Sequence, residues 1–141
     1  MTELGSMDDN IRKVIEDDSN RERGMIRFLI RCGSCGEVWR STPRWIPVAT
    51  GADAENENKR VMYTALWERE LENTRRLAVK EALAHFNLCL VCMRLSCKHC
   101  FRICDIIDMC ASCAERLGEP GEPVVDDEYP PDATFSNKRE R

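Results

Sequence analysis

The sequence predicts a small α+β fold: short β-hairpins and knuckles around two four-cysteine sites, one long or broken inserted helix, and disordered tails. Three observations carry this. Nine cysteines occur in 141 residues, and all fall between Cys32 and Cys113, a density at which cysteines form a framework. Eight of them make four C-x-x-C pairs: Cys32/Cys35, Cys89/Cys92, Cys97/Cys100 and Cys110/Cys113. Between the first two pairs, residues 59–86 are rich in helix formers, within an interval from Ala52 through Leu117 that holds no Gly or Pro.

Taken in order, residues 1–23 are polar and acidic, with a weak helical pattern at Ile11, Val14 and Ile15. They read as a segment ahead of a domain spanning 24–118. Met25 to Arg31 is a short β-prone run leading into Cys32-Gly33-Ser34-Cys35-Gly36, and Glu37-Val38-Trp39-Arg40 continues away towards Pro43. Strand, knuckle, strand is the expected order, with Gly33 and Gly36 supplying tight-turn conformations. Thr50 to Asn58 is a small, polar linker.

In the helix that follows, Tyr63, Trp67, Leu71, Thr74, Ala78, Ala82 and His85 recur every three or four residues, one face of an amphipathic helix. Over 59–86 it would run about 42 Å, longer than a small cysteine-rich core covers. Either it breaks in two or its apolar face finds a partner. Residues 119–141 are acidic and proline-rich and read as disordered.

The pairs carry the chemistry. A two-residue spacer lets both sulfurs of a pair reach one ion at about 2.3 Å while turn amides steady the thiolates. Two pairs complete a tetrahedron, so four pairs predict two structural zinc ions held by Cys32, Cys35, Cys89, Cys92, Cys97, Cys100, Cys110 and Cys113. Iron–sulfur ligation is the rival for any four thiolates; knuckle turns and pairwise spacing favour zinc. In a cross-braced arrangement, pairs one and three share an ion, as do pairs two and four. In a sequential one, pair one joins pair two. The cross-brace is favoured, because pairs two and four can then flank a hairpin.

No stretch approaches the roughly 18 apolar residues of a membrane span. The first residues have no basic head and no apolar run, so no secretory signal is expected and a reducing, cytoplasmic setting is. The formal net charge is −4, from 21 basic and 25 acidic side chains. Residues 1–20 hold two basic and six acidic, and residues 119–141 three and seven, which leaves sixteen against twelve between them. A basic centre points towards nucleic acid, but each zinc bound by four thiolates carries about −2, which removes that surplus.

The run from Phe28 through Cys35-Gly36, then a variable small-residue linker, a charged helix closing on His85-Phe86, and the spaced pairs ending at Cys113-Ala114 resemble bacterial double-zinc-ribbon proteins, over about residues 28–117. The resemblance implies eight zinc-ligating cysteines and an interaction role without catalysis. The chain departs from that family at Met93 and Leu95, where it tends to have Gly and Trp, and in the longer Arg102–Met109 segment with Cys104. The spacing of pairs two and three also resembles FYVE-type and RING-like modules more weakly. FYVE modules place a basic, His-rich cluster before their second pair, where this chain has Ala84-His85-Phe86-Asn87-Leu88. That argues against membrane-lipid binding.

Other candidates have simpler readings. With eight cysteines available, His85 on the helix face and His99 inside Cys97-Lys98-His99-Cys100 are not needed as ligands. Cys104, followed by Asp105 and near Asp108, lacks the cationic surroundings that activate a thiol, apart from Arg102. Trp39, Trp45 and Trp67 fit packing around the knuckles better than base stacking. Arg21, Arg23, Arg27, Arg31, Arg40 and Arg44 form the best surface for nucleic acid or an acidic partner, or a solvated strand face. There is no H-E-x-x-H, P-loop or G-x-S-x-G motif, so no catalytic residue is expected.

The expectation is a non-enzymatic zinc module that engages another protein, or a second copy of itself, through the 59–86 helix or the Arg-rich 21–44 segment. Its rivals are a nucleic-acid-binding regulator, a ubiquitin-ligase-like adaptor and a thiol redox switch.

Overall fold

The computed structural model describes residues 7–124. Its elements run α1 (Met7–Val14), β1 (Glu16–Asp17), β2 (Met25–Ile26), β3 (Phe28–Arg31), β4 (Val38–Arg40), β5 (Arg44–Trp45), α2 (Glu57–Ala82), β6 (Phe86–Leu88), β7 (Leu95–Cys97), β8 (Phe101–Ile103), β9 (Met109–Cys110), α3 (Ala111–Leu117) and β10 (Glu122–Pro123). The strands form small antiparallel sheets, ordered β1-β3-β4, β2-β5, β6-β7 and β10-β8-β9. The architecture is therefore α+β, with one long helix among the described residues.

The β-prone run 28–31 becomes the central strand of its sheet because Phe28, Leu29 and Ile30 are all buried. Consecutive burial means that both faces of β3 are covered, which is why its sequence does not alternate. Leu29 pairs with Glu16 on one side and Arg40 on the other. The Phe28 amide donates to Ser41 Oγ at 3.0 Å, and the Arg75 guanidinium of α2 lies 4.9 Å from the centre of the Phe28 ring.

Helix α2 is unbroken over 26 residues, about 39 Å at the standard rise. It begins ahead of the expected start because Asn56 caps it, its side chain accepting from the Lys59 amide at 3.0 Å. It stops at Ala82, so residues 83–86 are not helical as the periodicity suggested. Phe86 instead enters β6 opposite Cys97; the hairpin pairing overrides local propensity where no Gly or Pro marks a stop. Buried positions on α2 are Trp67, Glu70, Thr74, Ala78, Val79 and Ala82, and no side chain before Trp67 is buried.

The stripe's cover comes from within the chain. Ile11 of α1 and Ile15 join Ile26, Phe28, Ile30, Trp67, Ala78, Val79 and Ala82 in the larger apolar cluster. Residues 7–23, read from sequence as a segment ahead of the domain, thus supply part of its core. Ile11 and Ile15 lie one helical turn apart and point the same way, and in a short acidic segment that signal is faint. At the other end, Glu122–Pro123 pairs with β8 and Val124 packs on the smaller apolar cluster, so the expected disordered tail does not begin at 119. The rest of that tail, 125–141, lies outside the described residues, as do residues 1–6.

One buried acid ties α2 to β5. Glu70 is 7 % exposed; Arg69 donates to its Oε2 at 3.2 Å, and Arg44 lies 3.1 Å from Oε1. The Arg44 contact is an ion pair off hydrogen-bond geometry, leaving Oε1 without a directed donor. Glu70→Ala is expected to lower stability by about 1–2 kcal/mol, below the range for fully buried pairs because both arginines reach solvent. A chemical-denaturation midpoint equal to that of the parent chain would count against this anchor.

Candidate metal centres

The cysteine pairs converge into two groups. Cys32, Cys35, Cys97 and Cys100 form one, and Cys89, Cys92, Cys110 and Cys113 the other; within each, the ligand atoms lie within 4.8 Å of one another. This is the cross-braced grouping of pairs one with three and two with four. Cys35 and Cys97 Sγ are 3.9 Å apart, as are Cys92 and Cys110 Sγ. The edge of a tetrahedron with 2.3 Å metal–sulfur bonds is about 3.8 Å, whereas a disulfide would bring the sulfurs to about 2.05 Å. None of the nine cysteines forms a disulfide. The donor set fits a thiophilic ion such as zinc at each group.

The first knuckle is the turn between β3 and β4. The Gly36 amide donates to Cys32 O at 2.9 Å, and the Cys32 amide to Glu37 O at 2.9 Å. Gly36 has φ +78°, the left-handed region. Gly33 serves differently from the expected turn role: its amide reaches Leu95 O at 2.7 Å, and an added Cβ would sit 2.9 Å from that oxygen. It permits close approach of β7. Ser34 Oγ shares a hydrogen bond of 3.0 Å with the fully buried Ser96.

The second knuckle, between β6 and β7, repeats the geometry without glycine. The Met93 amide donates to Cys89 O at 2.7 Å and the Cys89 amide to Arg94 O at 2.9 Å. Met93 takes the place of Gly36 and is forced to φ +64°. A side chain there costs about 1–2 kcal/mol. Met93 is 40 % exposed, so little packing offsets that cost. Met93→Gly is expected to stabilise the loaded chain by about 1 kcal/mol, read as a raised Tm; an unchanged or lower Tm would mean the turn is unstrained.

The remaining pairs sit at turn starts. Cys97 precedes the 3-10 turn Lys98–Cys100, and Cys110 caps α3, its Sγ accepting from the Cys113 amide at 3.4 Å. Two arginines that sequence reasoning missed donate to sulfur at the second group: Arg94 Nε to Cys92 at 3.4 Å and Arg116 Nη2 to Cys113 at 3.3 Å. Arg94 also reaches Gly33 O at 3.3 Å, tying the two knuckles together. The signal was proximity, two residues after Cys92 for Arg94 and three after Cys113 on a helix for Arg116.

The groups differ in access. Cys89, Cys110 and Cys113 are all buried, while Cys35 in the first group is exposed. Their ionisation is arranged alike. Burial opposes the Cys32 thiolate, but amides of Cys35, Cys97 and Ser34 outweigh it and bring its pKa from 9.0 down to about 6. Burial likewise opposes ionisation of Cys89, and amides of Cys110, Cys92 and Val91 bring it down to about 6. Burial and neighbouring sulfurs push Cys113 up to about 12 and raise Cys100 further.

The sign of the pH dependence follows. A depressed thiol pKa contributes stability that is complete above its ordinary value and lost as pH falls through about 6. Protons then compete with metal for Cys32 and Cys89 as well. The pH dependence of zinc affinity is expected to steepen by one proton per group below about pH 6. Competition with a chromophoric chelator from pH 5 to 8 reads this directly, and a constant slope throughout would refute the assignment.

Other sequence candidates fall elsewhere. Cys104 joins neither group; burial, then Glu119, Asp108 and Asp105, raise its pKa against the opposing Arg102. His85 lies beyond the helix, exposed, with its ring 5.3 Å from that of Trp39. Trp67 is core and Trp39 half-buried, but Trp45 is 59 % exposed on the short edge strand β5 and does not pack around a knuckle. The arginines are largely engaged: Arg27 and Arg40 on Asp18, Arg31 on Glu16, Arg44 on Glu70, and Arg21 on Thr64 and the Trp67 ring. The acidic N-terminal segment thus neutralises much of the basic strand face.

No helix among the described residues is long and apolar enough to cross a membrane. The chain matches no protein-family model, no curated protein and no solved structure.

Proposed function

We propose that this protein is a non-enzymatic zinc-binding module, with one structural zinc ion in each four-cysteine group and a protein partner as its ligand. The observation that carries the reading is the convergence of eight cysteines, distant in sequence, into two groups with near-tetrahedral sulfur spacing. Four thiolates complete zinc's coordination and leave no position for substrate, which supports a structural role. The kinship with double-zinc-ribbon proteins belongs to this proposal and rests on the cysteine pattern.

Pairing of the Arg-rich face with Glu16, Asp18 and Glu70 weighs against a nucleic-acid-binding regulator, which needs unpaired cations to displace counterions. The partner surface we favour is the outer part of α2, where Val61 and Met62 are more than half exposed. The raised pKa of Cys104 weighs against a redox switch built on it.

Native mass spectrometry of protein purified under reducing conditions tests the reading. Two zinc ions per chain is the expected result. Iron, or a metal-free folded chain, would overturn it.

A further inference from the structure

We propose that Glu37, Cys97 and His99 form a third, weaker binding site for a borderline divalent cation, with the Cys97 sulfur bridging it to the ion of the first four-cysteine group. The inference rests on the zinc reading of that group. One ligand atom from each of these three residues lies within 4.8 Å of the other two. Ligands of a shared ion stand about 3.5 Å apart, so closure asks for an adjustment of about 1 Å. Glu37 and His99 are both exposed, and their side chains are free to swing.

The backbone is already in place for this. Glu37 follows Gly36, and its carbonyl accepts from the Cys32 amide, which fixes it at the end of the first knuckle. His99 sits in the turn between Cys97 and Cys100. The three residues line a cleft of about 350 Å³ together with Val38, Trp39, His85, Phe86 and Lys98. The cleft leaves space beside the ligands for a bound water.

The chemistry selects the ion class. One sulfur, one imidazole nitrogen and one carboxylate oxygen suit zinc, cobalt or nickel, whereas calcium and magnesium take oxygen ligands. A thiolate already bound to one ion keeps lone pairs for a second, and the net negative charge of a four-thiolate zinc centre favours a neighbouring cation. Three protein ligands leave the fourth position open. With three protein ligands against four, and two of the three exposed, the third ion is the more readily exchanged.

Zinc titration of the full chain followed by native mass spectrometry tests this. The parent chain is expected to take two ions tightly and a third at higher free zinc. Glu37→Gln and His99→Ala should each weaken the third at least tenfold and leave the first two unchanged. With cadmium-113 loading, the third resonance should couple through sulfur to the single resonance of the first group. Saturation at two ions, or a third ion retained by the double variant, overturns this site and leaves the zinc reading intact. Fewer than two ions in the parent chain overturns both.

Discussion

Cys110→Ser is expected to empty the second four-cysteine group and unfold the chain from β8 to β10, while β6 and β7 stay held by Phe86 and Leu95 in the larger apolar cluster and Cys35→Ser leaves most of the structure standing. The difference lies in what remains around each group. Three of the six buried residues in the smaller apolar cluster are ligand cysteines, and only Phe101, Met109 and Ala114 remain beside them. Burying those three contributes a few kcal/mol at most. Zinc at a four-thiolate site contributes about 10 kcal/mol or more, comparable with the whole stability of an ordinary domain. The first group instead adjoins a cluster with Ile11, Ile26, Phe28, Ile30 and Val79 buried to within 1 %, which persists without metal. Hydrogen exchange on the two variants, with zinc counted in parallel, separates the outcomes. Equal protection of residues 101–114 in Cys110→Ser and the parent would show that packing alone holds that half.

The second large effect belongs to a residue outside the cysteine framework. Ile11→Ala should cost about 3 kcal/mol, the middle of the range for truncating a fully buried aliphatic side chain. Ile11 is 0 % exposed and is part of the α1 cover over α2, with Arg12 and Glu72 4.0 Å apart at the rim. The loss should appear as a lower denaturation midpoint with the metal content of the parent chain unchanged. A shift below about 0.5 kcal/mol would place α1 outside the cooperative unit, as a surface change would.

The eight cysteines were legible because holding one metal ion between two pairs imposes a spacing that survives translation into a one-dimensional pattern. Their grouping was legible in part, since loop lengths favour a cross-brace without excluding sequential pairing. The stripe from Trp67 to Ala82 was legible from its period, but its cover was not. Two isoleucines in an acidic segment carry little signal until a neighbouring surface is known. Phe86 illustrates the opposite failure, a residue whose local sequence favours helix but whose cross-strand partner, Cys97, decides otherwise. Met93 was visible as a departure from a glycine, yet the second knuckle keeps the same two backbone hydrogen bonds and absorbs the difference as strain at one residue. Arg94 and Arg116 stand two and three residues from the sulfurs they reach, so their nearness was legible, but their aim is set by the local turn and helix.

The cross-brace also sets an order in time. The second group closes within residues 89–113, whereas the first must join Cys35 to Cys97, 62 positions along the chain. At about 5–20 residues per second of synthesis, the first knuckle waits roughly 3–12 s on the growing chain with two sulfurs and no partners. Through that interval a C-x-x-C dithiol meets cellular oxidants and passing metal ions on its own. Ion capture at the N-terminal end thus begins as a two-ligand encounter, completed only after α2 and the second knuckle have been made.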